Sequence, residues 1–129
     1  YVSDEYAVVD ADGWIHAYAR PLSVRSSDGT RRHVPAEALG ASTVTRPLRP
    51  RAVLTMPHAA GTAAALERRF SRGAVMALMN NTVAARSRSA AALAAAAAVA
   101  RESVYLRGSR GEAAEAAQLV LSCVKNNMP

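Results

Sequence analysis

The rhythm of hydrophobic and polar positions changes once along this chain, near Pro47 to Pro50. Ahead of that point the period is two. In YAVVDADGWIHAYA (6–19) apolar and polar residues alternate on both sides of Asp12-Gly13, a dipeptide that tolerates the positive φ of a tight hairpin turn. PLSVRSSDGTRRHVP (21–35) repeats the device, with Asp28-Gly29 between Leu22-Val24 and His33-Val34. Two successive hairpins predict a small antiparallel meander over residues 6–34. VPAEALGAS (34–42) then reads as a helical turn or loop that ends at Gly40.

Beyond the prolines the pattern predicts strand followed by helix, three times over. RAVLTM (51–56) is a strand, PHAAGT (57–62) a loop and AAALERRF (63–70) a helix. GAVMALMN (73–80) is the second strand, set off by the Ser-Arg-Gly break, although SRGAVMALMNN could instead extend the preceding helix. NTVAARSRS (81–89) leads into an Ala-rich helix from about Ala90 to Arg101. The third unit, SVYLRGSRGEAAEAAQLVLSCVKN (103–126), is the clearest, because Ala113, Ala116, Ala117, Val120 and Val124 recur at helical spacing. Cap chemistry supports each helix start: Thr62, then Ser87 or Ser89, then Ser109 with Glu112 as a capping box.

The fold class expected from this order is α/β, with α+β as the alternative. N-terminal antiparallel hairpins are followed by βαβαβα units in one layered domain spanning residues 1–129. Residues 1–46 form its hairpin-rich part and residues 51–129 its βα-repeat part. Parallel strands joined by right-handed crossovers would bring every strand-to-helix loop to one sheet edge, where helix N-termini present unpaired N–H groups. Asn80, Asn81, Arg86 and Arg88 would arrive there from the second loop, with Thr62 and His58 from the first. Arg107, Ser109 and Arg110 would come from the third, between Gly108 and Gly111, glycines that admit a close backbone approach. Such an edge would track phosphates, since guanidinium groups bind them in bidentate fashion.

Charge sharpens that expectation. The net charge of +6 points to a polyanionic partner, although Lys125 is the only lysine and an Arg- and Ala-rich bias is also what a GC-rich genome produces. Aromatic residues make up 5% of the chain, so the core must be built from Ala, Val and Leu. Cys123 is the single cysteine and falls on the apolar face of the last helix. It excludes an intrachain disulfide and any cysteine-based zinc site, reads as core filler, and fits a reducing compartment. The Ala-rich run is too short and too closely flanked by Arg88 and Arg101 to span a membrane, so no membrane partner is expected. The chain opens at Tyr1, which leaves room for an N-terminal segment removed by processing or by cloning, a targeting peptide among them.

From GAVMALMN to CVKNN, about residues 73–127, the order of strand, basic loop, Ala-rich helix, strand, Gly-Arg loop and helix resembles the Alba superfamily, including the stage V sporulation protein S family. The likeness is closest in SVYLRGSRGEAAEAAQLVL. It implies a small, often dimeric βαβα-type domain that binds RNA or DNA. Basic contact residues in its first loop would fall on Arg86 and Arg88, and its second turn on Arg107 to Arg110. The chain departs from that pattern in having no lysine in the first loop and no β-hairpin after the last helix up to Pro129.

Chemistry beyond binding has thin support. No Gly-Lys-Ser/Thr closes a phosphate loop, and GSRGEA lacks the dinucleotide glycine spacing. His16, His33 and His58 are not at metal-ligand spacing. His58, at a predicted helix entrance, is the candidate an enzyme would use, but no acid/base pair accompanies it. Tyr6, Trp14 and Tyr18 share one face of the first hairpin and read as core, as does Tyr105. No catalytic residue, cofactor or metal is therefore expected. The leading expectation is a non-enzymatic RNA-binding domain within a ribonucleoprotein, with DNA as a competing ligand, in a mitochondrial or bacterial cytoplasmic setting. The alternative is a structural subunit whose Ala-faced helices pack against its own copies or a larger assembly. A small enzyme or nucleotide-binding domain using the PHAAGT edge stands third.

Overall fold

A computed structural model describes residues 1–26 and 28–127. The fold is α+β, and the chain divides into two compact units: Tyr1–Asp10 with Trp14–Leu48, and Ala11–Gly13 with Arg49–Pro129.

The first unit holds two separate antiparallel ladders rather than a meander. Strands β1 (Val8–Val9) and β2 (Ile15–His16) pair Val8 with His16 and Val9 with Ile15. The Asp10 carboxylate accepts from the Trp14 amide at 2.9 Å and meets His16 Nε2 at 2.8 Å. Strands β3 (Leu22–Arg25) and β4 (Arg31–Val34) pair from Leu22↔Val34 to Arg25↔Arg31. β2 and β3 do not pair; β2 and the segment between them are bonded elsewhere. Ile15 exchanges both hydrogen bonds with Leu48, the Tyr18 amide donates to Val2 O, and the Tyr1 hydroxyl donates to Arg20 O. Pro21 has no amide to offer a further ladder. A 3₁₀ turn, Ala36–Leu39, closes at Gly40, whose φ of 77° suits a residue without Cβ.

Asp28 organises the second hairpin turn. Its carboxylate accepts from the Thr30 hydroxyl at 2.7 Å and the Thr30 amide at 2.9 Å, and these bonds, the hydroxyl first, hold its pKa below the ordinary aspartate value. A depressed folded-state pKa means a stabilising contribution that is complete above the unfolded value and is lost as pH falls through the folded one. A carboxyl NMR titration should therefore give Asp28 a midpoint below the usual aspartate range, and Thr30→Ala, which keeps the amide donor, should return part of the shift.

The second unit is built on a three-stranded sheet in the order β5-β7-β6. Its strands are β5 (Ala52–Thr55), β6 (Ala65–Arg69) and β7 (Val104–Ser109). β5 runs parallel to β7, with Val53 beside Tyr105 and Thr55 beside Arg107. β6 runs antiparallel to β7, with Glu67 beside Arg107 and Arg69 beside Tyr105. The helices are α1 (Ser71–Asn80), α2 (Ser89–Glu102) and α3 (Ala113–Asn127), with a 3₁₀ turn, Val83–Ala85, between the first two.

Two expected elements exchange identity here. Residues 63–70 were expected to be helical, yet Ala65–Arg69 is a strand; residues 73–80 were expected to be a strand, yet they lie in α1. The order is thus β5-β6-α1-α2-β7-α3, not three strand–helix repeats, and the sheet has one parallel pair. GAVMALMN, expected as the first strand of the Alba-like order, is part of this helix. Long-range pairing decides the first exchange, because β6 fills the open side of the buried central strand and overrides the helical propensity of Ala-Leu-Glu-Arg. Gly73 explains the second. It is not a break but the point where α1 crosses Tyr105, whose ring atom Cε1 would lie 2.7 Å from a Cβ placed there.

Side chains alternate across a strand, so Val53, Thr55, Tyr105, Arg107, Glu67 and Arg69 share one sheet face. α1 covers part of that face and α2 packs on α1, giving a core of Ala74, Ala100 and Tyr105 backed by Val53, Val75 and Ala77. The Tyr105 hydroxyl and Thr55 Oγ1 are 3.0 Å apart. α3 lies across the other face, against β6, and Glu115 accepts from the Ala64 amide at 3.2 Å. The buried side chains are mostly alanine, with Tyr105, Leu106 and Val99 the largest.

Candidate nucleic-acid interface

The turn that carries Arg107 to Gly111 is held by its own chain. Gly108 sits in the β6–β7 ladder opposite Leu66, and a Cβ on it would come within 1.7 Å of Ala65 O. A Cβ on Gly111 would lie 2.4 Å from Thr62 O. The close approach that both glycines allow is therefore to neighbouring backbone. Ser109 ends β7 beside Ala65, and α3 begins at Ala113, so the expected Ser109–Glu112 capping box gives way to a strand end. The Arg110 amide donates to Pro57 O at 3.2 Å and its carbonyl accepts from the Ala59 amide at 2.8 Å, which extends the parallel ladder past β5.

Strand alternation separates the two arginines of this turn. The Arg110 side chain lines an apolar groove with Leu54, Met56 and Val120 on the α3 face. Arg107 is exposed on the α1 face. There it lines an open cleft of about 620 Å³ with Arg69, Arg72, Asn80 and Phe70, floored by Thr55 and Tyr105. Among the described residues, no carboxylate lines the cleft. Glu67 stands just outside it, directly beside Arg107 in the ladder and 2.5 Å from Arg69 Nη2. With both partners more than half exposed, that pair contributes little to stability.

Phe70 is 76% exposed, and the Arg72 guanidinium lies 5.1 Å from its ring centroid. Phe70 also precedes α1, whose first turn has no side-chain cap and borders the cleft through Arg72 and Gly73. The cleft thus collects three guanidinium groups, an amide side chain and an exposed ring.

The other expected site residues lie elsewhere or are already engaged. The Asn81 side chain donates to Ala77 O at 2.9 Å and closes the end of α1. Arg86 and Arg88 are exposed between the 3₁₀ turn and α2, with Arg88 as the N-cap residue of that helix, and neither lines the cleft. Neither Ser87 nor Ser89 supplies a side-chain cap to α2. Thr62 precedes a strand instead of a helix and donates its amide to Ala59 O. His58 is exposed and joins Arg110 in a backbone bridge. Among the described residues, no three His, Cys, Asp or Glu side chains come together to hold a metal ion, and no helix is long and apolar enough to cross a membrane.

Arg69, Phe70 and Arg72 enter the site without having been singled out in the sequence. Their signal was RRFSR (68–72), which sets the only phenylalanine of the chain among arginines. The helix expected over residues 63–70 masks it. No protein-family model matches this chain, and no curated protein or solved structure is significantly similar to it.

Proposed function

We propose that this chain is a non-enzymatic RNA-binding domain that works within a ribonucleoprotein and holds the phosphates of a single strand on the α1 face of its sheet. The observation that carries this reading is the cleft where Arg69, Arg72 and Arg107 converge beside the exposed Phe70. Arginine forks suit phosphate oxygens, and an exposed ring offers a base a stacking surface. The start of α1, which no side chain caps, adds partial positive charge at the same place. Phosphate contacts of this kind do not distinguish RNA from DNA, so single-stranded DNA is expected to compete.

Counterion release supplies the test. Three phosphate contacts on a single strand should give a log–log salt dependence with a slope of about −2. A salt series on a mixed-sequence single-stranded RNA, read by fluorescence anisotropy, measures it directly. A slope near zero, or binding only to duplex RNA, would contradict the reading.

A second reading, a subunit that packs against other protein, is favoured by a different face. The groove of Leu54, Met56 and Val120 between β5 and α3 is open, and Leu121 on α3 is 60% exposed. Both roles can coexist, because the groove and the cleft lie on opposite sides of the sheet. Sedimentation velocity across a concentration series separates an associating chain from a lone monomer.

A further inference from the structure

We infer that the α1-face cleft is a single-nucleotide subsite: it takes one unstacked nucleoside monophosphate unit, with the base on Phe70 and the phosphate between Arg69 and Arg107. The inference rests on the reading of this cleft as an anion site and adds to it what the ligand must carry besides charge.

The geometry divides the cleft into two halves. In the β6–β7 ladder Arg107 stands beside Glu67 and Arg69 beside Tyr105, so the two arginines are diagonal neighbours on one face. Diagonal positions lie about 7–8 Å apart, within reach of one phosphate for side chains as long as arginine. Thr55 and Asn80 border the same space and can donate to a sugar or phosphate oxygen.

Phe70 forms the other half. Arg72 lies over the ring at 5.1 Å, which assigns one face to the guanidinium, while the residue as a whole remains 76% exposed. A planar ring that stacks on the free face completes a layered arrangement of guanidinium, phenyl and base, in which each contact is favourable. A simple anion leaves this half empty, and a rigid duplex cannot bring an unstacked base to it. A volume of about 620 Å³ lies within the range of small-ligand sites.

Glu67 is the counterweight. Its carboxylate holds one edge of Arg69 and faces Arg107 across the ladder, so it competes with an incoming phosphate for both. Glu67→Gln removes that competing charge at an exposed position and should tighten every phosphate-bearing ligand.

The test is calorimetric titration of the full chain with AMP, adenosine and inorganic phosphate, beside a twelve-residue single-stranded RNA. AMP should bind about tenfold more tightly than inorganic phosphate, the advantage expected from one stacked base. Phe70→Ala, whose exposed ring leaves the core untouched, should abolish that advantage, read as the ratio of AMP to phosphate affinity. Glu67→Gln should tighten AMP and phosphate alike and leave adenosine unchanged. Equal binding of AMP and phosphate, or an advantage that survives Phe70→Ala, would overturn the inference and leave the RNA-binding reading in place. AMP binding that depends on Phe70, without binding of the RNA strand at low salt, would uphold the subsite for a free nucleotide and remove the RNA-binding reading.

Discussion

Gly108→Ala should destabilise the second unit by on the order of 3 kcal/mol, the upper end of the usual overpacking range. The added Cβ would fall 1.7 Å from Ala65 O, and that obstacle is backbone, with no flexible side-chain end to swing away. Relief requires β6 to move off β7, which breaks the ladder from Ala65 to Arg69. Urea denaturation measures the loss as a lower midpoint. Because Arg69 and Phe70 enter the cleft at the end of β6, the variant should also lose RNA affinity under conditions where it is still folded. An unfolding free energy within about 0.5 kcal/mol of the parent would mean that Gly108 does not lie against β6, since that is the scatter expected of neutral surface changes.

Much of this architecture was legible beforehand. Asp12-Gly13 and Asp28-Gly29 mark two real hairpin turns, with φ values of 82° and 83° at the glycines. The strand at 52–55, the Ala-rich helix, the 104–109 strand and the last helix stand where periodicity and turn chemistry put them. Each of these draws on local information: a β-period, a run of strong helix formers, or a positive-φ turn. What was not legible lies at 65–80, where local preference and final structure disagree. Ala65–Arg69 carries good helix formers, yet the empty side of β7 claims it as a strand. Gly73 looked like a break only because the ring of Tyr105, more than thirty residues later, is invisible from its neighbourhood.

The site moved for the same reason. Once β6 is a strand and α1 a helix, Arg69 and Arg72 flank Phe70 in a cleft instead of falling at the end of an expected helix and in the break after it. Gly108 and Gly111 turn out to serve backbone contacts, and Arg110 faces away from Arg107. Of the residues first expected to contact nucleic acid, Asn80 and Arg107 remain in the candidate site.

Loss of the three cleft arginines should have the largest effect on binding. A hydrogen bond to a charged group contributes about 1.5–3 kcal/mol, so Arg69→Ala, Arg72→Ala and Arg107→Ala together should weaken single-stranded RNA binding by at least about a hundredfold at low salt. The salt slope should fall by about 2 as the phosphate contacts disappear. Folding should change little, because all three side chains are exposed. Arg69 gives up a surface ion pair with Glu67, and Arg72 gives up its contact with the Phe70 ring.

The central claim is that phosphate recognition belongs to the cleft and not to the arginines between α1 and α2. One paired measurement addresses it: salt-dependent anisotropy of single-stranded RNA with the triple cleft variant and with an Arg86→Ala/Arg88→Ala double variant. Near-complete loss in the first with a largely retained slope in the second is expected. Retained binding in the cleft variant, with loss in the double variant, would contradict the account.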